Sequence, residues 1–140
     1  MSGTSSCTCF HLRRAARRMS QLYDHALAPV GLSLNAYSIL RRLETTKSLG
    51  ALAQALGMER TTLTRNLKPL LAAGWIATQR GDDARQTWLI LSRSGRGLLR
   101  RAQPHWLAAQ QRIEALFGAA ATAQLHATLD RLDAVLDAAA

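Results

Sequence analysis

The chain has 140 residues, 48% of them hydrophobic and 19% charged, with a formal net charge of +9. That length suits one domain whose core needs no metal or disulfide staple, and the apolar share excludes wholesale disorder. No apolar run approaches the ~18 residues of a membrane span. The first residues, MSGTSSCTCFHLRRAARR, lack the basic, apolar and small-residue order of a secretory signal, so a cytoplasmic protein is expected.

The charge is unevenly placed. Residues 1–46 set six arginines against Asp24 and Glu44. Residues 47–101 set ten lysines or arginines against Glu59, Asp82 and Asp83, whereas residues 102–140 are net acidic. A positive field centred on 47–101 suits an anionic polymer bound with strong salt dependence.

Ser5 or Ser6 can open a first helix reaching about Ala28, before Pro29 and Gly31. Its apolar residues Phe10, Leu12, Ala16, Met19, Leu22, Ala26 and Leu27 make a face broad enough to want a partner, either the core or another subunit. Arg13, Arg14, Arg17 and Arg18 fit a solvated opposite side. Ser33 caps a second helix running to about Thr45.

Ser48 to Gly74 is the segment around which the rest is organised. Ser48 is suited to N-cap a helix with Leu49, Leu52, Ala53 and Leu56 on one face, and Gly57 ends it. A second helix follows Glu59, with Leu63, Leu67, Leu70 and Leu71 expected inward and Gly74 as terminator. Arg60, Thr61, Thr62, Thr64, Arg65, Asn66 and Lys68 remain outward, donors suited to phosphates and base edges. The pattern is that of a helix-turn-helix with a recognition helix. An ordinary helical hairpin with a solvated basic face would share these features. Pro69 removes a backbone donor and predicts a bend or a shifted turn.

Trp75–Thr78 and Thr87–Leu91 then read as two strands around a polar loop, forming a wing. Arg80 and Arg85 are its candidates for phosphate or the minor groove, and Asp83, two residues before Arg85, is expected to orient that arginine or the loop rather than to do acid–base work. Ser92 or Ser94 caps a long helix to about Leu116 or Phe117, with a bend allowed near Pro104, and Gly118 breaks it. A last helix, about Ala120 to Ala138, carries a narrow seam of Leu125, Leu129, Leu132 and Leu136. The terminal helices offer more apolar face than the winged core can cover, which predicts a homodimer and, by two-fold symmetry, a palindromic DNA operator. The fold class is therefore mainly α: a winged helix-turn-helix with a two-stranded β wing, flanked by dimerisation helices.

LGALAQALGMERTTLTRNLKPLLAAGWI, followed by GDDARQTWLILSRSGRGLL with its Asp-x-Arg wing element, resembles MarR-type transcriptional regulators over essentially the whole chain. The resemblance implies a single domain over 1–140. Residues 31–92 would form the winged lobe, and 1–30 and 93–140 the interlocking dimerisation helices. It also implies repression of nearby genes, relieved by a phenolic or other small lipophilic ligand or by thiol oxidation.

Cys9-Phe10-His11-Leu12, then Tyr23, Gly31-Leu32-Ser33 and Tyr37, is similar to the organic-hydroperoxide-sensing branch. That likeness implies Cys9 as sensing thiol, with Tyr23 and Tyr37 as its hydrogen-bonding partners. Where that branch carries another tyrosine this chain has Arg13, one turn after Cys9. Cys7 can resolve a sulfenic acid between subunits or stand inert in a frayed terminus. No recognised metal spacing appears, and neither a cofactor nor catalysis is expected. An effector pocket is expected near Tyr23, Tyr37 and Trp75. The alternatives are a helical protein-interaction module and a thiol-based redox enzyme. The cysteines lack a His–Asp arrangement for the second, and the first leaves the basic wing without a purpose.

Overall fold

The computed structural model describes residues 6–83 and 85–140. In chain order these form α1 (Thr8–Leu27), a 3-10 turn (Ala28–Val30), α2 (Leu34–Arg42), β1 (Lys47–Ser48), α3 (Leu49–Leu56), α4 (Arg60–Ala72), β2 (Ile76–Arg80), β3 (Thr87–Leu91), α5 (Arg93–Phe117) and α6 (Ala119–Ala139). The expected mainly α winged helix-turn-helix is present, with one strand more than anticipated.

That strand is β1, which pairs antiparallel with β3 (Lys47 opposite Leu89, Ser48 opposite Trp88), so the sheet runs β1-β3-β2. α2 accordingly stops at Arg42 rather than Thr45. Lys47 Nζ donates to the Arg42 carbonyl (2.6 Å) and to Thr45 Oγ1 (2.8 Å), closing the intervening turn. Two residues are too few to show alternation, and the sequence therefore carries no strand signal there. β2 begins one residue later than expected, because the Trp75 amide still bonds the Leu70 carbonyl (3.1 Å) at the close of α4. It extends to Arg80, opposite Thr87. Pro69 and Pro104 interrupt neither helix: α4 continues to Ala72 and α5 to Phe117.

The main core gathers Leu27, Leu40, Leu43, Leu52, Leu63, Leu89 and Ala102, all essentially inaccessible, from α1, α2, α3, α4, β3 and α5. Leu71 departs from expectation and is exposed. Leu63, Leu67 and Leu70 already fill the buried stripe, and a residue eight positions after Leu63 falls beside it. A second, smaller cluster packs Tyr23, Ala109 and Ile113 against Met19, Leu22 and Trp106. Beyond it α1, α5 and α6 bound an apolar groove of about 620 Å³, walled by Met19, Leu22, Ile113, Leu116, Phe117, Leu125 and Leu129. Leu116 is 73% exposed and Phe117 57%. Among the described residues no helix is long and apolar enough to cross a membrane.

Candidate nucleic-acid interface and aromatic pocket

α3 starts where Ser48 Oγ accepts the Ala51 amide (3.1 Å) and ends at Gly57, whose φ of 64° is the left-handed turn glycine adopts at low cost. The Met58 amide bonds back to the Ala53 carbonyl (3.0 Å), and the turn delivers Arg60 as the first residue of α4. With Leu63, Leu67 and Leu70 buried, Arg60, Thr61, Thr62, Thr64, Arg65 and Lys68 are all exposed. Asn66 is half-buried, its amide against Met58 Sδ (3.8 Å). Thr64 Oγ1 donates to the Arg60 carbonyl (2.8 Å), leaving its oxygen as an acceptor and its methyl for apolar contact. The Arg60 guanidinium folds over α3, close enough that a Cβ at Gly50 would lie 2.6 Å from Nη2.

Hydrogen bonds among its described residues shape the wing loop. The Gly81 amide bonds the Gln86 carbonyl (3.1 Å), and the Gln86 amide bonds the Asp83 carbonyl (2.9 Å). Asp83 Oδ1 accepts the Arg85 amide (3.1 Å), so this carboxylate shapes the loop as its position predicted. Arg80 and Arg85 are exposed at opposite ends of the loop. The recognition helix and the wing are both fastened to α5. Ser92 Oγ and Ser94 Oγ donate to the Gly74 carbonyl (2.6 and 2.9 Å), and the Ser92 amide bonds the Trp75 carbonyl (2.9 Å). Gly95 is required by proximity, since a Cβ there would meet the Trp75 carbonyl oxygen at 2.1 Å.

The aromatic pocket lies where α1, α2 and α5 meet, about 570 Å³, lined by Tyr23, Leu34, Tyr37, Ser38, Arg41, Arg42 and Trp106. Trp106 sits between the two tyrosines, 6.4 Å from Tyr23 and 6.0 Å from Tyr37, the rings within about 21° and 17° of parallel. Trp75 does not belong here: it packs at the edge of the main core. The pocket tryptophan is Trp106, on α5.

The Tyr23 hydroxyl donates to Gln110 Oε1. The Tyr37 hydroxyl is buried without a partner at hydrogen-bonding geometry, although the Arg41 guanidinium lies near enough to favour its phenolate. Burial raises both phenol pKa values; Glu114 adds to the rise at Tyr23, while Arg41 opposes it at Tyr37. Arg41 pairs with Glu44 at 3.6 Å at the solvent edge. Asp24 Oδ1 caps the Leu34 amide (2.6 Å) and fixes α2 to α1 beside the pocket.

Cys7 and Cys9 are exposed at the start of α1. Cys9 and Tyr23 are fourteen residues apart on one helix, about 21 Å by helical rise, so a single protomer does not bring the thiol to Tyr23. Arg13 is exposed, and the guanidinium that stacks on Phe10 (4.9 Å) belongs to Arg14. Among the described residues no three His, Cys, Asp or Glu side chains gather as a metal site.

No protein-family profile matches the chain. Among curated proteins, the uncharacterized HTH-type transcriptional regulator YwoH of Bacillus subtilis (strain 168) is 29% identical over 87 residues, 59% of this chain and 61% of that relative's length. Among solved structures, the M. tuberculosis transcriptional regulator MosR in complex with DNA is 34% identical with a TM-score of 0.88, over 95% of this chain and 98% of that one. The transcriptional repressor CouR bound to a 23-mer DNA duplex is 26% identical with a TM-score of 0.82, over 91% and 92%. AbsC, a MarR family regulator from Streptomyces coelicolor, shares the fold at a TM-score of 0.82 and 20% identity, over 99% of each chain. The sequence identity to MosR across nearly the full chain and the shared winged architecture place this protein in the MarR family of DNA-binding transcriptional regulators.

Proposed function

We propose that the chain is a cytoplasmic, homodimeric repressor that reads a palindromic operator and is released by an effector. The observation that carries this reading is the joint exposure of the α4 donors and the two wing arginines on a lobe fastened to α5. Thr61, Thr62, Thr64 and Arg65 would read base edges in the major groove; Arg60, Lys68, Arg80 and Arg85 would hold phosphates or the minor groove. Residues 31–92 act as the DNA-binding lobe, and 1–30 with 93–140 as the dimerisation helices, the groove between α1, α5 and α6 receiving the partner.

Two release signals have support. CouR has a structure bound to p-coumaroyl-CoA, and in this chain the Tyr23–Trp106–Tyr37 stack offers a flat apolar slot beside an unpartnered phenol and Arg41. That chemistry suits a phenolic or aromatic acid: a ring packs against the edge of the stack, and a carboxylate takes the guanidinium and the Tyr37 hydroxyl. Oxidation at Cys9 is the second signal, with Cys7 as resolving thiol. Given the distance along α1, Tyr23 can serve Cys9 only across the dimer.

The test is fluorescence anisotropy on a duplex from the gene's own upstream region, using reduced protein, protein treated with stoichiometric organic hydroperoxide, and Cys9→Ser. Tight salt-sensitive binding that oxidation abolishes and Cys9→Ser preserves supports the thiol signal. Binding indifferent to oxidant but released by an aromatic acid supports the pocket. No salt-sensitive binding to this or any selected duplex ends the repressor reading.

A further inference from the structure

The far end of α6 lies against the helix-turn-helix of its own chain. Gln54 Nε2, on α3, donates to both carboxylate oxygens of Asp137 (3.3 and 3.5 Å), and Asp133, one turn earlier, lines the same cleft with Glu59 and Arg60.

The placement is unusual on both sides. The last turn of α6 holds no basic residue, and Asp130, Asp133 and Asp137 share one face, Asp137 standing near the helix end where the macrodipole favours cations. Opposite, α4 begins without a side-chain cap: Glu59 occupies the N-cap position but makes no capping hydrogen bond, and the first turn has no acidic residue. An uncapped helix start beside an arginine is where a phosphate is ordinarily received. Arg60 is folded over Gly50, along the wall of the cleft that Asp133 and Asp137 enter.

We propose that Asp133 and Asp137 are an intramolecular stand-in for DNA phosphate, an autoinhibitory contact that holds α3 through Gln54 and competes with the operator for Arg60. The competition rests on the reading of Arg60 as a phosphate contact; the contact itself does not. Docking on DNA would then exchange carboxylates for phosphate at the entry of α4, and α6 would set the affinity of the lobe without touching DNA.

The experiment compares wild type with the Asp133→Asn/Asp137→Asn double variant, on a duplex selected by the wild-type protein, across a salt series. The double variant is expected to bind about threefold tighter at low salt, in keeping with exposed opposite charges that face one cleft without pairing directly. The gain should shrink as salt rises and vanish on an Arg60→Ala background. Unchanged or weaker binding, or an equal gain on the Arg60→Ala background, overturns the competition. Amide hydrogen exchange over residues 49–62, measured without DNA, is expected to quicken in Asp137→Ala, which removes the acceptor of Gln54; unaltered exchange overturns the contact. Asp137→Asn alone, at an exposed position, carries the same expected sign should the double variant fail to fold. A wild-type protein that binds no duplex removes the DNA reading, and the exchange measurement then still decides the contact.

Discussion

Tyr37 keeps a buried phenol hydroxyl that no partner among the described residues meets at hydrogen-bonding geometry, Arg41 standing nearby, and an unsatisfied group of this kind costs about 1–3 kcal/mol. Tyr37→Phe is therefore expected to raise stability by about 1 kcal/mol in urea unfolding while weakening the release of DNA by an aromatic acid; a destabilised variant would mean the hydroxyl has a partner after all. The chain contains two tyrosines, so its whole tyrosinate absorbance reports on this pocket. Both pKa values are raised, chiefly by burial. The stability linked to them is thus fully present below the ordinary tyrosine pKa and is lost as pH rises through the folded values. An absorbance titration should show both phenols ionising later than free tyrosine, with unfolding accompanying the change. The tyrosines were legible as candidates through a family resemblance, but Trp106 was not. A tryptophan at helical spacing looks like any core residue, and its partnership depends on where α5 crosses α1 and α2.

The recognition helix and the wing contribute differently to binding, and the two contributions separate by experiment. Arg65→Ala is expected to cost about 1–3 kcal/mol and relax discrimination at one base pair. Arg85→Ala should weaken binding to all sequences alike and flatten the log affinity against log salt slope by about 0.9. Anisotropy over a salt series with matched and mismatched duplexes checks both; identical effects from the two substitutions would remove the division of labour. The helix-turn-helix was readable because its signals are local: a capping serine, a turn glycine and a leucine stripe, all between Ser48 and Gly74. β1 was not, since a two-residue strand exists only by virtue of β3 across the sheet. Leu71 was misjudged because one residue past a filled stripe looks the same, in sequence, as one within it.

At the scale of the molecule, the groove between α1, α5 and α6 leaves Leu116 and Phe117 exposed, an arrangement suited to a second copy. Leu116→Glu changes no buried contact within a protomer and is expected to yield a folded monomer in analytical ultracentrifugation. Its affinity for a two-half-site duplex should drop by about 100-fold or more as the linkage between lobes is lost. A variant that stays dimeric would move the interface elsewhere. The leucine seam of α6 and the broad apolar face of α1 announced the need for a partner, but the groove they form with α5 emerged only from the way the long helices pack.

The ring stack has a practical corollary in optics. Trp75 lies at the core edge, Trp88 on a wing strand and Trp106 between two phenols, so the protein carries an intrinsic fluorophore in each of three regions. Replacing Trp75 and Trp88 by phenylalanine would leave emission from the pocket alone, and retaining only Trp88 would leave emission from the wing. Effector occupancy and operator docking could then be followed as separate colours and lifetimes in one unlabelled molecule, giving the order in which the two events occur.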